Sequence, residues 1–198
     1  MGLSRLLNMN NGQPAQAARS RGIPLSFLRR IFGETQQRAP LEPLYRAIVA
    51  AGRDPFWYRD GEVPDTVGGR FDMIASILGL VLIRLGAEGG ETTAKTTYLT
   101  ELFIDDMEGN VREIGIGDLM VGKQVGQMVS ALGGRMNAFR AGSAEGGDLK
   151  AAVRRNIFHD APPSDEAVAT VADRLQRFQE ALAAAPADVL LEGRLPSP

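Results

Sequence analysis

The sequence predicts an all-α fold, a single compact domain of about six to seven helices behind a flexible basic N-terminal arm. From Pro40 onward, apolar residues recur every three or four positions, which is the spacing of one helix face. No segment alternates between apolar and polar residues for long enough to indicate a strand. With 198 residues and a hydrophobic fraction of 44%, the chain can bury one ordinary core. We place the helical domain at residues 40–192.

The domain is predicted to begin with a helix over residues 40–52. Gly52 ends this helix, because glycine commonly follows the last helical turn. The apolar stripe of the helix consists of Leu41, Leu44, Tyr45 and Ile48. Residues 54–64 then form an aromatic loop with prolines near both ends.

The second predicted helix is long. It should begin at Asp65 or Thr66, either of which can cap it, and run to about Leu85, with Gly86 at its C-terminus. Its apolar run from Met73 to Ile83 is about half the roughly 20 residues that a membrane-spanning helix needs. The run therefore indicates a core helix.

Four more helices are expected in the rest of the domain. The third covers about Thr96 to Glu113, and a tight GIGD turn follows it. Asp118 at the end of that turn can cap the fourth helix. The apolar stripe of the third helix is Leu99, Phe103, Met107 and Val111, and that of the fourth is Val121, Val125, Met128, Leu132 and Phe139. Residues 148–158 and 164–184 complete the set, with Ser164 as the cap of the last helix.

The N-terminal arm divides into two predicted parts. Residues 1–24 are small and polar, and we expect them to be disordered or to be an extension ahead of the domain. Residues 25–33 form a short amphipathic segment, which either docks on the domain or binds the surface of an anionic membrane. Residues 1–39 contain six arginines and one acid, so the partner should be lipid headgroups or ribosomal RNA. The expected membrane contacts are Leu25, Phe27, Leu28, Arg29, Arg30, Ile31 and Phe32.

Composition excludes several kinds of chemistry. The chain has no cysteine and a single histidine, His159, so disulfides, thiolate catalysis and Cys/His zinc clusters are ruled out. We expect His159 on the surface at a helix end. The net charge of −2 gives no electrostatic case for recognition of a specific nucleic-acid sequence. No cofactor and no metal site is predicted.

Two segments resemble enzyme motifs. Residues 89–96, GGETTAKT, approach a phosphate-binding loop but have Ala94 in place of its second glycine, and too few residues follow for a parallel crossover. Residues 103–109, FIDDMEG, approach the Asp-rich motif of magnesium-dependent diphosphate enzymes but end in Gly109. We favour an exposed acidic helix face in which Glu101, Asp105 and Glu108 are aligned and Glu108 pairs with Arg112.

A stripe of small residues runs beside the apolar face of the fourth helix. Its members are Gly122, Gly126, Ser130 and Gly133. So many small residues lower helix propensity, so a close contact should compensate. We expect tight packing against another helix of the domain, with a groove for a partner helix as the alternative.

The order and spacing of several blocks resemble the ubiquinol–cytochrome c chaperone family, whose members include assembly factors for the cytochrome bc1 complex. The resemblance covers about residues 41–160. The blocks that carry it are LYRAIVAAGRDPFWY (44–58), VPDTVGGRFDM (63–73), FIDDMEGNVREIGIGDLMVGKQV (103–125), GGRMNAF (133–139) and RRNIFHD (154–160).

The resemblance implies a helical, non-enzymatic chaperone of bc1 assembly that holds newly made cytochrome b, or another respiratory-complex subunit, at the membrane surface, and associates with the ribosome. It also implies a peripheral location on the cytoplasmic side of a bacterial inner membrane, or in the mitochondrial matrix of a eukaryote. The alternatives are a magnesium-dependent, diphosphate-binding all-α enzyme and a membrane-associated scaffold with another client.

The resemblance also implies a set of candidate client-binding residues. We expect Phe71 to be buried and Arg70, a cation in the first turn of a helix, to need an acidic partner, Asp106 or Glu113. The chain departs from the family pattern at Ile77, where a histidine is common, and at Gly133, where an aromatic residue is common. The candidates are Tyr58, Asp65, Thr66, Arg70, Asp72, Asp106, Arg112, Glu113, Asp118 and Arg135.

Overall fold

The computed structural model describes residues 39–113, 118–158 and 163–198. These residues form helices and connecting turns, with no strand among them, and the all-α prediction is confirmed. A 3₁₀ turn at Ala39–Leu41 leads into the first α-helix. The α-helices are α1 (Glu42–Gly52), α2 (Phe56–Arg59), α3 (Val67–Gly86), α4 (Thr92–Glu113), α5 (Asp118–Gly142), α6 (Leu149–Ile157), α7 (Asp165–Ala184) and α8 (Ala187–Leu191).

Helix α3 is the central element of the core. Thr66 caps it, because its side-chain Oγ1 accepts a hydrogen bond from the Gly69 amide at 3.1 Å. From Asp72 to Leu82 every residue of α3 is buried. The helix packs against α1, α4, α5, α6 and α7, so it has almost no solvent-facing side between its first and last turns. Thr66 is thus the cap, and Gly86 ends the helix as predicted.

Two polar side chains of the aromatic segment fasten α2 to the end of α1. The Trp57 indole is fully buried, and its Nε1 donates to the Ala51 carbonyl at 2.8 Å. The Tyr58 hydroxyl donates to the Gly52 carbonyl, also at 2.8 Å. Gly52 lies so close to α3 that an added Cβ would be 2.7 Å from the Ile74 Cα. The expected loop over residues 54–64 therefore contains one short helix, held by these bonds.

Helices α4 and α5 bury most residues of their predicted apolar stripes. Leu99, Phe103 and Met107 of α4 are buried, as are four members of the α5 stripe. Helix α4 begins at Thr92, four residues before the predicted start, because Gly89 and Gly90 adopt positive φ and complete the preceding turn by that point. The buried α5 residues are Val121, Val125, Leu132 and Phe139.

The last three helices close the core. Asp148 caps α6 and Ser164 caps α7, each through a hydrogen bond from a backbone amide three residues later. Helix α3 is joined to the end of α7 by Arg84, which donates to the carbonyls of Leu182 and Ala185 at 2.9 and 3.0 Å. The Leu182 carbonyl accepts from the backbone only the Ala185 amide at 3.3 Å, so the guanidinium acts as an additional C-terminal cap of α7.

Several predictions fall outside the described residues. These are the prediction that residues 1–24 are disordered or an extension, the amphipathic segment predicted at 25–33, the GIGD turn and the surface position of His159. Among the described helices, none combines the length and the apolar composition needed to cross a membrane.

Candidate functional site

A pocket of about 270 Å³ opens beside the start of α3, and we call it the arginine pocket. It brings together three of the predicted site residues with two arginines that were not predicted. The arginines are placed by α1, α2 and α3, whose ends meet here. The lining residues are Arg53, Pro55, Tyr58, Arg59, Asp65 and Arg70.

Arg70 pairs with Asp65 instead of the predicted Asp106 or Glu113. The Arg70 Nε lies 2.7 Å from the Asp65 Oδ1, and both side chains are about half exposed. Asp65 precedes the helix cap, so its carboxylate can fold back over the first turn and offset the unfavourable cation there. The pair lowers the pKa of Asp65 and raises the pKa of Arg70, in each case mainly through their hydrogen bond.

The aspartates that follow Arg53 and Arg59 in the sequence do not neutralise these two arginines. Asp54 accepts a hydrogen bond from the Phe56 amide at 2.8 Å and pairs with Arg174 at 3.0 Å, so its carboxylate is already used. Arg59 is 3.9 Å from Asp60 in an exposed contact, and such pairs contribute little. Arg53 makes no ion pair with any described residue. The lining of the pocket therefore carries a surplus of positive charge.

Asp72 and Arg135, both predicted site residues, form a buried ion pair between α3 and α5. The Arg135 Nη2 lies 2.6 Å from the Asp72 Oδ1 and donates to the Asn156 carbonyl of α6 at 2.7 Å. Both side chains are almost fully buried: that of Arg135 is 4% exposed and that of Asp72 is 6% exposed. Burial lowers the pKa of Arg135, while the charge and the hydrogen bond of Asp72 oppose that shift.

Arg135 also lies against the aromatic pair next to it. Its guanidinium carbon is 5.9 Å from the centre of the Phe71 ring, which in turn packs against Phe103. Phe71 was expected to be buried but is only partly so, because its ring packs at the edge of the core. Sequence reasoning selected Asp72 and Arg135 but did not pair them, since they are 63 positions apart.

The Asp-rich segment of α4 serves a structural contact. The Tyr45 hydroxyl donates to the Asp106 Oδ2 at 2.7 Å and joins α1 to α4. Burial, followed by this hydrogen bond, raises the pKa of Tyr45 well above its usual value. The predicted pair of Glu108 with Arg112 is present at 2.7 Å, but Glu101 is buried at 7% exposure, so the expectation of an exposed Glu101 was wrong. Across the described residues, no cluster of side chains suited to a metal ion occurs.

A second, larger concavity lies between α3, α4 and α5, and we call it the α3–α5 groove. It encloses about 560 Å³ and is lined mainly by apolar and small residues. Three threonines of α4 line its polar side, but their hydroxyls donate to carbonyls of the same helix at 2.8 to 3.2 Å. Its residues are Leu82, Ile83, Gly86, Ala87, Thr96, Thr97, Thr100, Val129, Leu132, Gly133, Met136 and Arg140.

The small-residue stripe of α5 reaches this groove at Gly133, which is the one member of the stripe that lines it. Gly122, Gly126, Ser130 and Gly133 are all exposed, and a Cβ added at Gly126 or Gly133 would meet no atom within 4 Å. The expectation that the stripe packs tightly against a helix of its own domain was therefore wrong for the described part of the chain. The core contacts of α5 use other residues of the helix, such as Leu132 and Phe139.

The remaining site predictions are spread over the molecule. Thr66 caps α3, and Arg112 lies on the exposed side of α4. The side chains of Glu113 and Asp118 lie outside the description, although α4 ends at Glu113 and α5 begins at Asp118. The predicted residues thus fall into a surface pocket, a buried ion pair and helix-end positions, and they do not form one site.

Comparison with known proteins now identifies the family. The family model described as "Ubiquinol-cytochrome C chaperone" matches residues 59–196, well over half of the chain. The chain belongs to the ubiquinol–cytochrome c chaperone family. A solved structure, "Crystal structure of the Cbp3 homolog from Brucella abortus", is similar with a TM-score of 0.69 and 27% sequence identity, over 87% of this chain and 95% of that one. Comparison with curated proteins gives no match.

Membership of the ubiquinol–cytochrome c chaperone family confirms the resemblance drawn from the sequence blocks. The two departures from the family pattern lie in different surroundings. Ile77 is fully buried in α3, where an isoleucine needs no polar partner. Gly133 lies at the α3–α5 groove and is exposed, so the absence of an aromatic ring there leaves the groove open.

Proposed function

We propose that this protein is a non-enzymatic assembly chaperone of the cytochrome bc1 complex that holds newly made cytochrome b at a membrane surface. Membership of the ubiquinol–cytochrome c chaperone family is the observation that carries the proposal. The Cbp3 homolog, which this chain matches over most of both chains, supports it.

The α3–α5 groove is the surface that best suits such a client. A segment of a membrane protein is apolar, so it binds where few polar groups lose water. The groove meets this condition because its threonine hydroxyls are already bonded within α4 and its one cation, Arg140, is exposed. The exposed glycines of α5 then allow a client helix to approach the backbone closely.

The location follows from the same proposal. A chaperone that receives a membrane subunit must work at the membrane face, on the cytoplasmic side in a bacterium or in the matrix of a mitochondrion. The basic amphipathic segment 25–33 would hold the chain at that face, and the basic arm would contact the ribosome that makes the client.

In-cell photocrosslinking tests the client and its surface together. A crosslinking amino acid placed at Gly126 or at Gly133 should capture nascent cytochrome b, because Gly133 lines the groove and Gly126 lies two turns before it on the same face of α5. The same amino acid at Glu180, an α7 position away from the groove, is the matched control. Captured proteins are identified by mass spectrometry.

Three results would contradict the proposal in different ways. Equal capture from Gly126 and Glu180 would mean that α5 is not the client surface. Capture of a membrane protein other than cytochrome b would indicate a scaffold with another client. If neither cytochrome b nor another membrane protein is captured in cells that are assembling the complex, the chaperone function itself is contradicted.

A further inference from the structure

We propose that the arginine pocket binds the phosphate of an anionic phospholipid headgroup, so that the folded domain has its own membrane contact in addition to the N-terminal arm. The proposal does not depend on which client the protein holds. It is based on the positive charge of the pocket, on the arginine N–H groups that make no hydrogen bond to the described residues, and on the exposed apolar side chain of Val67 beside it.

The pocket carries excess positive charge and a shape suited to a single anionic group. Three arginines and one aspartate line it, and its volume of about 270 Å³ is small for a peptide segment. No other acid lines it: Asp54 pairs with Arg174, Glu62 accepts a hydrogen bond from Ser164 of the α7 cap, and Asp60 makes only an exposed contact of 3.9 Å with Arg59. An anion entering the pocket would therefore meet a net surplus of two cations.

The guanidinium groups have nitrogens available for a phosphate. Asp65 uses only the Nε of Arg70, and the terminal nitrogens of Arg70 make no hydrogen bond with the described residues. Arg53 makes no side-chain bond to any described residue, and Arg59 has only its exposed contact with Asp60. Arginine binds phosphate oxygens through two parallel N–H groups, which makes such a cluster a suitable phosphate site.

The exposure of Val67 favours a lipid over a soluble anion as the ligand of the pocket. It is 71% exposed, and only one other large apolar side chain in the described residues, Met120, is strongly exposed. Val67 and Arg70 are three positions apart in α3, so they lie on the same face of the helix. An exposed apolar residue beside cations is the pattern of an interfacial contact, in which the apolar group enters the acyl boundary and the cations bind headgroups. A free phosphate would not use Val67.

Vesicle flotation with the full purified chain tests the proposal without a client. Vesicles of phosphatidylcholine alone are compared with vesicles that also contain phosphatidylglycerol. Arg29→Gln and Arg30→Gln are present in every protein, to reduce binding through the arm. The test variant R53Q/R59Q removes two pocket arginines, and the control R177Q/R194Q removes two exposed arginines elsewhere, with the same change in net charge.

The pocket variant should bind the anionic vesicles about 25-fold more weakly than the control, since each interfacial cation contributes about fivefold to binding. Val67→Ser should weaken binding further, and raising the salt concentration should reduce the difference between the variants. The expected melting temperatures are unchanged, because Arg53, Arg59 and Val67 are exposed and make little contact. Melting curves are recorded alongside the flotation.

Other outcomes would overturn the lipid assignment. Equal vesicle binding by R53Q/R59Q and R177Q/R194Q would show that the pocket takes no headgroup. Saturable binding of inorganic phosphate that needs Arg53 and Arg59, with vesicle binding unchanged, would make the pocket a soluble-phosphate site. Normal vesicle binding with loss of client crosslinking would assign the pocket to the client. Failure of the chaperone proposal would leave the vesicle result unaffected.

Discussion

The ion pair between Asp72 and Arg135 is the most consequential polar contact of the core. It lies among apolar side chains, joins α3 to α5, and reaches α6 through the Asn156 carbonyl. Within the described residues, the Nε and Nη1 of Arg135 have no hydrogen-bond partner, so desolvation of the guanidinium is only partly offset. The pair therefore fixes which faces of the helices meet, and it contributes less to the net stability than its short distance suggests.

Replacing Arg135 alone should destabilise the protein strongly. Arg135→Met leaves the Asp72 carboxylate buried without its cation, and we expect the free energy of unfolding to fall by about 3–5 kcal/mol. Chemical denaturation followed by circular dichroism measures this loss. The double variant D72L/R135M should recover much of it, because neither buried charge remains.

The exposed pair of Arg177 with Asp173 gives the matched control for that experiment. Its side chains are 64% and 62% exposed, so Arg177→Met should cost less than about 1 kcal/mol. A loss from Arg135→Met no larger than that from Arg177→Met would contradict the importance assigned to the buried pair.

At the scale of the secondary-structure element, the glycines of α5 work against the stability of their own helix. Glycine in a helix interior costs about 0.5–1 kcal/mol relative to alanine. Buried glycines such as Gly52 are compensated by a neighbour that approaches closely, in that case Ile74. Gly126 has no such neighbour among the described residues, so its cost is not recovered within the domain.

Gly126→Ala should therefore stabilise the domain and weaken client capture. We expect the free energy of unfolding to rise by about 0.5–1 kcal/mol, because the new methyl group meets no atom and helix propensity improves. Capture of the client should fall, because the methyl group holds a partner helix away from the α5 backbone. Denaturation and in-cell crosslinking from Gly133 measure the two effects.

Gly109 of α4 provides the comparison. It is exposed, it lies within a helix, and a Cβ added there would also meet nothing within 4 Å. Gly109→Ala should give a similar gain in stability with full client capture. Equal capture by both alanine variants would mean that the exposed glycines of α5 serve no partner helix.

Prediction from the sequence succeeded for features that depend on the residues of a single helix. The burial of Leu99, Phe103 and Met107 in α4, the cap Thr66 and the ends at Gly52 and Gly86 depend on periodicity and on local hydrogen bonds, and all are observed. The predicted partner of Arg70 was wrong, because only two acids distant in the sequence were considered and the nearby Asp65 was not. Local geometry at a helix start was the signal that could have identified it.

Contacts between distant segments could not be predicted in the same way. Nothing local distinguishes Asp72 as the partner of Arg135, and the periodicity of α5 does not reveal that its small-residue side lacks a neighbouring helix. The arginine pocket was missed for a related reason. Arg53 and Arg59 belong to different elements and approach Arg70 only after α1, α2 and α3 have packed.

At the scale of the whole molecule, two tyrosines make the stability of the protein sensitive to alkali. Burial raises the pKa of Tyr58 from 10.0 to about 12, and burial with the hydrogen bond to Asp106 raises the pKa of Tyr45 further. The folded state therefore retains protons that the unfolded chain releases above pH 10. The stabilisation that comes from these protonated tyrosines is fully present below pH 10. It is lost as the pH rises toward the pKa values of the folded state.

We expect the free energy of unfolding to decline between pH 10 and pH 12, the interval between the ordinary and the raised pKa of Tyr58. The variant Y45F/Y58F should show a shallower decline, although it is less stable at neutral pH because two hydrogen bonds are lost. Denaturation at several pH values checks this. An identical slope in the variant would mean that other groups cause the alkaline loss.

The burial of α3 on nearly every side has a consequence for the synthesis of the protein itself. Its neighbours include α7, and Arg84 finds its carbonyl partners 98 and 101 residues later in the chain. During translation, α3, the most apolar of the described helices, therefore leaves the ribosome well before α7, one of the segments that cover it, and such exposed segments are prone to aggregation. Helix α3 must therefore stay shielded from such aggregation until α7 has been made.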